Sequence, residues 1–599
     1  MTVSAARGTE ADDLLRDDRF RAEWRHLAED CPWATAFQGP DFGYAWYLSY
    51  RKRYEPLLVM ERTGDGTLAG LLPLAIGCAD PRELVLAGAW QAEYHAWISA
   101  PGIGDRFPAH AMQWLRGAFP SSVLTFRYLP PGTPLGWLAD RALAPAHELT
   151  AFPRPLLRIG PRPEAENFLK NKTTRNQLNR LTKLGPVAFQ RLTGAEQLDV
   201  ILDQLIRFYD FRQAAVHGVE PFRTDPAKRP FHLRMMATPG LLHATVLTVG
   251  DRMIAAHLGI ASTREVHLGI LGHDPFLAKC SPGKFLIHFL AGQMQAEGYE
   301  QMDLTPGGDP YKDRFADHHD EVMVLTLFPG SATRERHVAR RRLARAGRRL
   351  LEAVHVKPER AKALGAQLSR AGPRRVATSL ARRARTWLDR TRELRIYTHN
   401  AVHVAEVAED CSIRRDALDD LLAFVPGADA ISDRSFFAEA LARIEAGQHV
   451  YTHVADGRLV HWGWLAERQE TSFLSEVNTP FTFPPNSACL FDYYTDPHYR
   501  GRGLYARSLR KMLKDAARVP GTEKVYIFVL ADNTASRHVI EKSGFHYEGS
   551  IFEAIRFGRS RHWTQMVMEG PVGGCNPAPR PQESQSAPPS EIPARRRGS

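Results

Sequence analysis

Between Ala488 and Phe545 the apolar positions change their period several times. Residues 488–495 (ACLFDYYT) form a nearly unbroken apolar and aromatic run of strand length. Turn formers and basic side chains then interrupt it, in Asp496-Pro497-His498-Tyr499-Arg500-Gly501-Arg502-Gly503. From Tyr505 onward the apolar residues recur at helical spacing, through Leu509, Met512, Leu513 and Ala516. A second apolar run, Val525–Leu530, leads to another helical segment that ends at Gly544-Phe545. The pattern predicts strand, basic glycine loop, helix, strand, helix. Alternation along the first strand is expected to place Asp492 and Tyr494 on one face and Phe491, Tyr493 and Thr495 on the other.

An earlier stretch also puts a helix start after a glycine. Ser281-Pro282-Gly283-Lys284 opens an apolar helix carrying Phe285, Leu286, Phe289 and Leu290. A short strand, Gln301-Met302-Asp303-Leu304, then runs into Gly307-Gly308-Asp309 and Tyr311-Lys312.

A chain of 599 residues is too long for one core and predicts about three or four domains of ~150 residues. Its six cysteines lie far apart, with no CxxC pair and no metal-ligand spacing. That favours a reducing compartment and no structural metal. The first residues are polar and acidic, and no apolar run reaches the ~18 residues of a membrane span, so a soluble cytoplasmic protein is expected.

The net charge of +11 is unevenly placed, because residues 331–395 hold twenty Lys and Arg against five Asp and Glu. Leu343, Ala346, Leu350, Leu351 and Val354, and later Leu380, Ala384, Trp387 and Leu388, predict basic amphipathic helices joining a front half to a back half. A solvated connector, an anionic membrane surface and a nucleic acid fit that stretch in decreasing order. No nucleic-acid motif accompanies the charge. Residues 571–599 are rich in proline, serine and glycine and are expected to be disordered.

Glycines allow backbone N–H groups to approach an anion, and a helix start adds unpaired donors and a favourable dipole. With two arginines in the same turn, the loop at 500–503 suits a pyrophosphate. Its RGRGLY segment, with the strand and helix of VYIFVLADNTASRHVIEKSGF, resembles the GNAT acyl-CoA transferases. The resemblance implies an α/β fold of mixed central sheets flanked by helices, and acetyl-CoA as cosubstrate. It assigns cofactor contacts to Tyr493, Tyr494, Thr495, Arg500, Gly501, Arg502, Gly503, Leu504, Tyr505 and Asn533. Tyr505 departs from the family pattern, which has a small residue there. Ile540 departs too, at a position where many members carry a tyrosine that protonates the leaving thiolate.

The front half resembles the divergent GNAT proteins found with bacterial cellulose and exopolysaccharide synthesis genes, which are similar to Fem-type peptidyltransferases with two fused GNAT-like folds. The resemblance rests on SPGK at 281–284, on the strand ending at Asp303 and on Tyr311-Lys312. It extends upstream to the basic segment 168–184, to Thr35-Ala36-Phe37-Gln38 and to the Gly70–Leu74 strand. It implies cofactor contacts from Ser281, Gly283 and Lys284 and substrate contacts from Asp303, Tyr311 and Lys312. The organisation expected is a degenerate GNAT-like fold over 1–160, a GNAT-like acyltransferase domain over 161–330, a basic helical linker over 331–395, a GNAT domain over 396–570 and the tail.

Acyl transfer to an amine requires removal of an ammonium proton, donors for the carbonyl oxygen and a proton for the thiolate. In the back domain Glu476, expected on the preceding strand, and Asp492 are the candidate bases, with Asn533 also near the reaction. The two resemblances together imply a cytoplasmic acetyltransferase, with peripheral contact to the inner membrane, and the front-half resemblance alone implies an acceptor amine or hydroxyl on a sugar or cell-envelope precursor. Two other readings stand beside it: a non-catalytic partner of a polysaccharide synthase, and Fem-type aminoacyl transfer from tRNA.

If the basic linker binds anionic bilayers, each engaged Lys or Arg contributes ~1 kcal/mol. Flotation with anionic vesicles should then show binding that weakens with salt and vanishes when 331–395 is deleted. A full chain that stays in solution at low salt assigns the stretch to connection alone.

Overall fold

The computed structural model describes residues 3–140, 146–160, 168–309, 311–353, 389–404, 410–426, 433–557 and 559–567. The second amphipathic segment expected in the linker, around 380–388, and the tail from 571 lie outside them.

The first sheet runs antiparallel through β1 (Val3–Arg7), β2 (Tyr54–Arg62), β3 (Leu68–Gly77) and β4 (Leu84–Leu86), with β5 (Ile98–Ser99) also on β3. Helices α1 (Thr9–Arg16), α2 (Asp18–Asp30) and α3 (Pro40–Tyr50) separate β1 from β2, and α4 (Arg106–Ala118) follows β5. Every residue of β3, LAGLLPLAIG, is buried. A strand without a polar face has to be covered on both sides, and the surrounding helices do so.

The next unit contains β6 (Leu124–Leu129), β7 (Ala146–Arg158), β8 (Val187–Leu192), β9 (Leu242–Val249), β10 (Arg252–Ile260), β11 (Glu265–His267), β12 (Ile270–His273), β13 (Gln301–Asp303) and β14 (His318–Phe328). Its helices are α5 (Lys172–Thr182), α6 (Ala195–His217), α7 (Lys228–Ala237), α8 (Pro282–Ala296) and the basic α9 (Ser331–Ala353). The strands are ordered β8-β9-β10-β12 in one sheet and β11-β13-β7-β14-β6 in another. β11 and β12 are consecutive in the chain, so the two sheets are one run that splits between them.

The back half repeats this plan. It comprises β15 (Asp389–Asn400), β16 (Arg414–Arg415), β17 (His449–Ala455), β18 (Arg458–Ala466), a separate hairpin β19 (Thr471–Leu474) and β20 (Thr479–Thr482), then β21 (Ser487–Thr495), β22 (Lys524–Leu530), β23 (His546–Arg556) and β24 (Arg559–Met566). Its helices are α10 (Leu418–Leu422), α11 (Asp433–Glu445), α12 (Leu504–Arg518) and α13 (Thr534–Lys542). The order is β16-β17-β18-β21-β22-β15-β23-β24. In both units a strand that comes early in the sequence, β7 or β15, is inserted antiparallel between two later ones. The sheet therefore spans residue 160, and among the described residues the first strand of the back unit runs from Asp389. Alternation along a strand reports which face is buried; it does not report which neighbours the strand takes.

Each unit also contains one short parallel pair. β11 pairs with β13 over Glu265–His267 and Gln301–Asp303, and β21 pairs with β22 over Ser487–Leu490 and Lys524–Ile527. Beyond these residues the chain after β11 runs along β10 as β12, and β21 runs along β18 to Thr495. The partners diverge and leave a wedge, and the strand on one side of it leads into α8 or α12.

The two halves share one core. Phe208, Phe211 and Ala214 of α6 belong to the same buried cluster as Leu418, Phe424, Phe436, Phe437 and Trp462. The Phe211 and Phe437 rings meet edge-on at 5.9 Å. Arg207 pairs with Asp419 at 3.3 Å, Arg212 with Glu445 at 3.7 Å, and Arg223 Nη1 donates to the Leu422 carbonyl at 2.7 Å. Truncating a buried phenylalanine to alanine costs ~3–5 kcal/mol. Phe437→Ala should accordingly speed hydrogen exchange in β9 and β10 as well as in β17 and β18. A response confined to the back half would show that the shared core does not couple them.

Candidate functional site

At the wedge of the back half, Asp492 has a φ of 49°. The register with β18 slips there: Trp462 faces Tyr494, while Trp464 faces Phe491. This bulge breaks the alternation expected for residues 491–495. Tyr494 stacks on Trp462 at 4.2 Å, and Tyr493 packs edge-on against Tyr505 at 4.6 Å. Asp492 is ion-paired with Arg443 of α11. Thr495 Oγ1 bonds to His461 Nδ1 at 2.8 Å, and burial holds that imidazole neutral, down at about 4. His461 Nε2 and Tyr493 Oη are both buried without a partner among the described residues.

The glycine loop folds back on the strand end. Asp496 accepts the His498 N–H at 2.9 Å, and Arg500 Nε donates to the Thr495 carbonyl at 3.2 Å. Gly501 and Gly503 take the left-handed conformation at φ 76° and 75°, and Gly503 is the residue from which α12 starts. A Cβ built on either would meet nothing within 4 Å, so the backbone there is open to a ligand. The first bond of α12 runs from Arg507 N–H to the Gly503 carbonyl at 3.0 Å, which leaves the amides of Leu504, Tyr505 and Ala506 outside the helical ladder. Arg500 and Arg502 are exposed, and Arg502 lies 4.7 Å over the Tyr499 ring. Open amides, a helix start and two cations make a cradle that fits a pyrophosphate.

Asn533 caps α13, its Oδ1 accepting the Ser536 N–H at 3.2 Å. Ile540 is fully buried in the cluster that holds Leu509 and Phe545. Glu476 is not on a strand: it lies exposed in the turn between β19 and β20. Ser475 to Asn478 close a hairpin there, with Val477 buried and Glu476 turned outward. The hairpin covers the face of β22 that carries Tyr526 and Phe528, opposite the face carrying Ile527 and Val529 beneath α12.

In the front half the predicted loop is engaged by its own protein. Ser281 Oγ accepts from Gln177 Nε2 at 3.0 Å, and Lys284 Nζ donates to Thr174 Oγ1 at 2.8 Å and lies 4.8 Å over the Phe168 ring. A Cβ on Gly283 would come no closer than 3.4 Å to His273. Helix α5 and the residues just before it thus cross the start of α8.

Asp303, at the end of β13, is fully buried and gathers three elements. It accepts from Tyr94 Oη at 2.6 Å, from the Thr305 N–H at 2.7 Å and from Arg154 Nη1 at 3.5 Å, and its Oδ2 lies 3.2 Å from His267 Nδ1. His267 Nε2 lies 3.3 Å from Glu265. Burial opposes the imidazolium, but the bonds and charges of Asp303 and Glu265 raise it to about 9. Burial likewise opposes the Glu265 charge, and His267 overrides it, holding the carboxyl at about 2. Lys312 is buried, with Nζ donating to Thr305 O and Oγ1 at 3.0 Å each. Tyr311 is pushed up to about 12 by burial and by Asp309.

Glu93 was not singled out by the sequence. Its carboxylate pairs with Arg127 at 3.4 Å with 23% of the side chain exposed, and burial raises its pKa although Arg127 and Lys312 oppose that. A carboxyl with raised affinity for protons, partly open to solvent, can exchange a proton with a substrate. Glu93 and Tyr94 fall in an irregular segment between β4 and β5, where no periodicity exists to mark them; their one signal is three polar residues, Glu93 to His95, inside an otherwise apolar run.

Residues 170–313 and 416–546 match two different family models, each described as an acetyltransferase (GNAT) domain. Solved structures similar to the chain include L-PGS from Bacillus licheniformis, at 10% identity over 52% of this chain and 92% of that one, with a TM-score of 0.32. FemX is similar at 8% identity over 52% and 94%, TM-score 0.35. A tandem GNAT protein from the clavulanic acid biosynthesis pathway is similar at 12% identity over 65% and 100%, TM-score 0.20. No curated protein matches the chain.

The Asp303 cluster has a definite pH signature. His267 binds its proton more tightly folded than unfolded, so its contribution is complete below about 6.5 and is lost as pH rises through about 9. Removing one partner of a buried ion pair costs ~3–5 kcal/mol. Asp303→Asn should lower the urea midpoint, read by tryptophan fluorescence, far more at pH 6 than at pH 10. Equal losses at both would mean that His267 is neutral in the folded chain.

Proposed function

Because the chain carries two GNAT acetyltransferase domains, we propose that its back domain transfers an acetyl group from acetyl-CoA to an amine or hydroxyl acceptor. The observation that carries this reading is the open cradle at Gly501 and Gly503, set where the strand leaves the wedge and α12 begins. When bound, acetyl-CoA supplies the activated acyl carbon. The amides of 501–506 and the guanidinium groups of Arg500 and Arg502 would hold its pyrophosphate, and Tyr493, Tyr494 and Thr495 would line the strand side. Asn533 acts on that arrangement by fixing the start of α13. Of the two candidate bases, Asp492 is on the wedge strand but paired with Arg443, and Glu476 is exposed but lies in the β19–β20 turn across the sheet.

The acceptor class, a sugar or cell-envelope precursor of exopolysaccharide or cellulose synthesis, rests on the front-half resemblance. In that half Glu93, on which the charges of Arg127, Lys312 and Asp303 act, would take the proton, and Asp303, Tyr311 and Lys312 would contact the acceptor. Peripheral contact with an anionic membrane is proposed through 331–395, where most described side chains of α9 are exposed. Among the described residues no helix is long and apolar enough to cross a membrane.

Calorimetric titration of the full chain with acetyl-CoA tests the cradle. A β-branched residue at a left-handed position, with a side chain in the path of the pyrophosphate, should remove one binding site in Gly503→Val. Arg500→Ala should weaken that site by about tenfold or more, since a hydrogen bond to a charged group contributes ~1.5–3 kcal/mol. Unchanged stoichiometry and affinity in a folded Gly503→Val chain would refute the assignment.

A further inference from the structure

Transfer from a thioester ends with a thiolate, which at neutral pH leaves more readily if a proton reaches the sulfur as the C–S bond breaks. A group that delivers it must be protonated, must have its proton uncommitted, and must be stabilised once the proton has gone. Ile540 meets none of these conditions, being aliphatic and fully buried in the core. Asp492 is tied to Arg443, Glu476 lies across the sheet in the β19–β20 turn, and Asn533 is used as a helix cap.

Tyr505 meets all three conditions. It stands in the first turn of α12, two residues past Gly503, with its ring edge-on to Tyr493 at 4.6 Å and thus beside the strand that lines the wedge. Its Oη accepts a hydrogen bond from Ser536 Oγ of α13 at 3.0 Å. The phenolic proton is therefore not spent in that bond, and the hydroxyl that donates to Oη would stabilise a phenolate. Burial holds the phenol up at about 12, with the Ser536 bond pulling the other way, so Tyr505 carries its proton at neutral pH.

We propose that Tyr505 is the proton donor to the departing sulfur in the back domain, with Ser536 as its positioning residue. The bond between the acyl carbon and the acceptor nitrogen or oxygen forms, and the C–S bond breaks with its electron pair on sulfur. The Tyr505 O–H proton moves to that sulfur, and the proton lost by the acceptor, passing through solvent, restores the phenol. The proposal rests on the reading of the back domain as the acetyl-CoA site, and it explains both departures of that domain from the family pattern together. The bulky residue at the end of the glycine loop supplies what the aliphatic residue on α13 cannot.

The test compares CoA with desulfo-CoA, in which hydrogen replaces the thiol, by calorimetry on the full chain. Binding that disappears in Gly503→Val defines the back site. There the wild type should prefer CoA by about three- to tenfold, as one net hydrogen bond gives. Tyr505→Phe, which keeps the ring packing, should abolish that preference and leave desulfo-CoA binding unchanged. It should also slow acetyl-CoA hydrolysis by at least about tenfold, with KM within about twofold. A preference that survives in Tyr505→Phe, or one lost only in Tyr493→Phe, overturns the assignment. So does hydrolysis that Tyr505→Phe leaves unaltered. Absence of any Gly503-dependent CoA binding would instead overturn the acetyl-CoA reading of the domain, and this proposal with it.

Discussion

The site depends on a pair of parallel strands that stop pairing early. Parallel ladders ordinarily continue, because every buried N–H and C=O needs a partner. Here β21 and β22 bond over four residues and then part, and β11 and β13 do so over three. In the back half the bulge at Asp492 lets β21 keep its bonds to β18 while turning its other edge away. The exposed edge, the turned side chains of Tyr493 and Thr495 and the direction in which the chain enters α12 all follow from that parting.

The two domains place their polar groups differently on this common frame. In the front, Ser281, Lys284 and Lys312 are bonded to neighbouring elements, and the buried Asp303 ties Tyr94, in the segment between β4 and β5, to Arg154 of β7 and His267 of β11. A buried carboxylate is costly unless several donors surround it, and those donors come from segments remote in sequence. The charge thereby fixes the first two folds against each other. In the back, the loop amides and arginines face outward, and near the wedge His461 Nε2 and Tyr493 Oη are buried without a partner among the described residues.

Much of this was legible in the sequence where the physics is local. The run at 488–495, the glycine loop and the helix after it appear as β21, the cradle and α12, because periodicity and left-handed glycines are properties of neighbouring residues. What stayed hidden is non-local. Nothing in the pattern of 146–158 says that β7 slots between β13 and β14, and strand alternation has no term for the bulge that turned Tyr493 toward Tyr505. Glu476 was misplaced because the turn at 475–478 holds no glycine or proline to mark it. Glu93 escaped because its neighbours belong to no regular element.

The core common to α6, α10 and α11 joins the two halves through side chains that both contribute. Cohesion of the two halves comes from phenylalanine packing and from the ion pairs of Arg207 and Arg212. Two polypeptides divided between Ala353 and Asp389 would carry complementary surfaces and could assemble as a heterodimer. Covalent continuity then acts mainly to enforce equal numbers of the two halves and a high local concentration of each around the other. The same architecture could be encoded by one reading frame or by two.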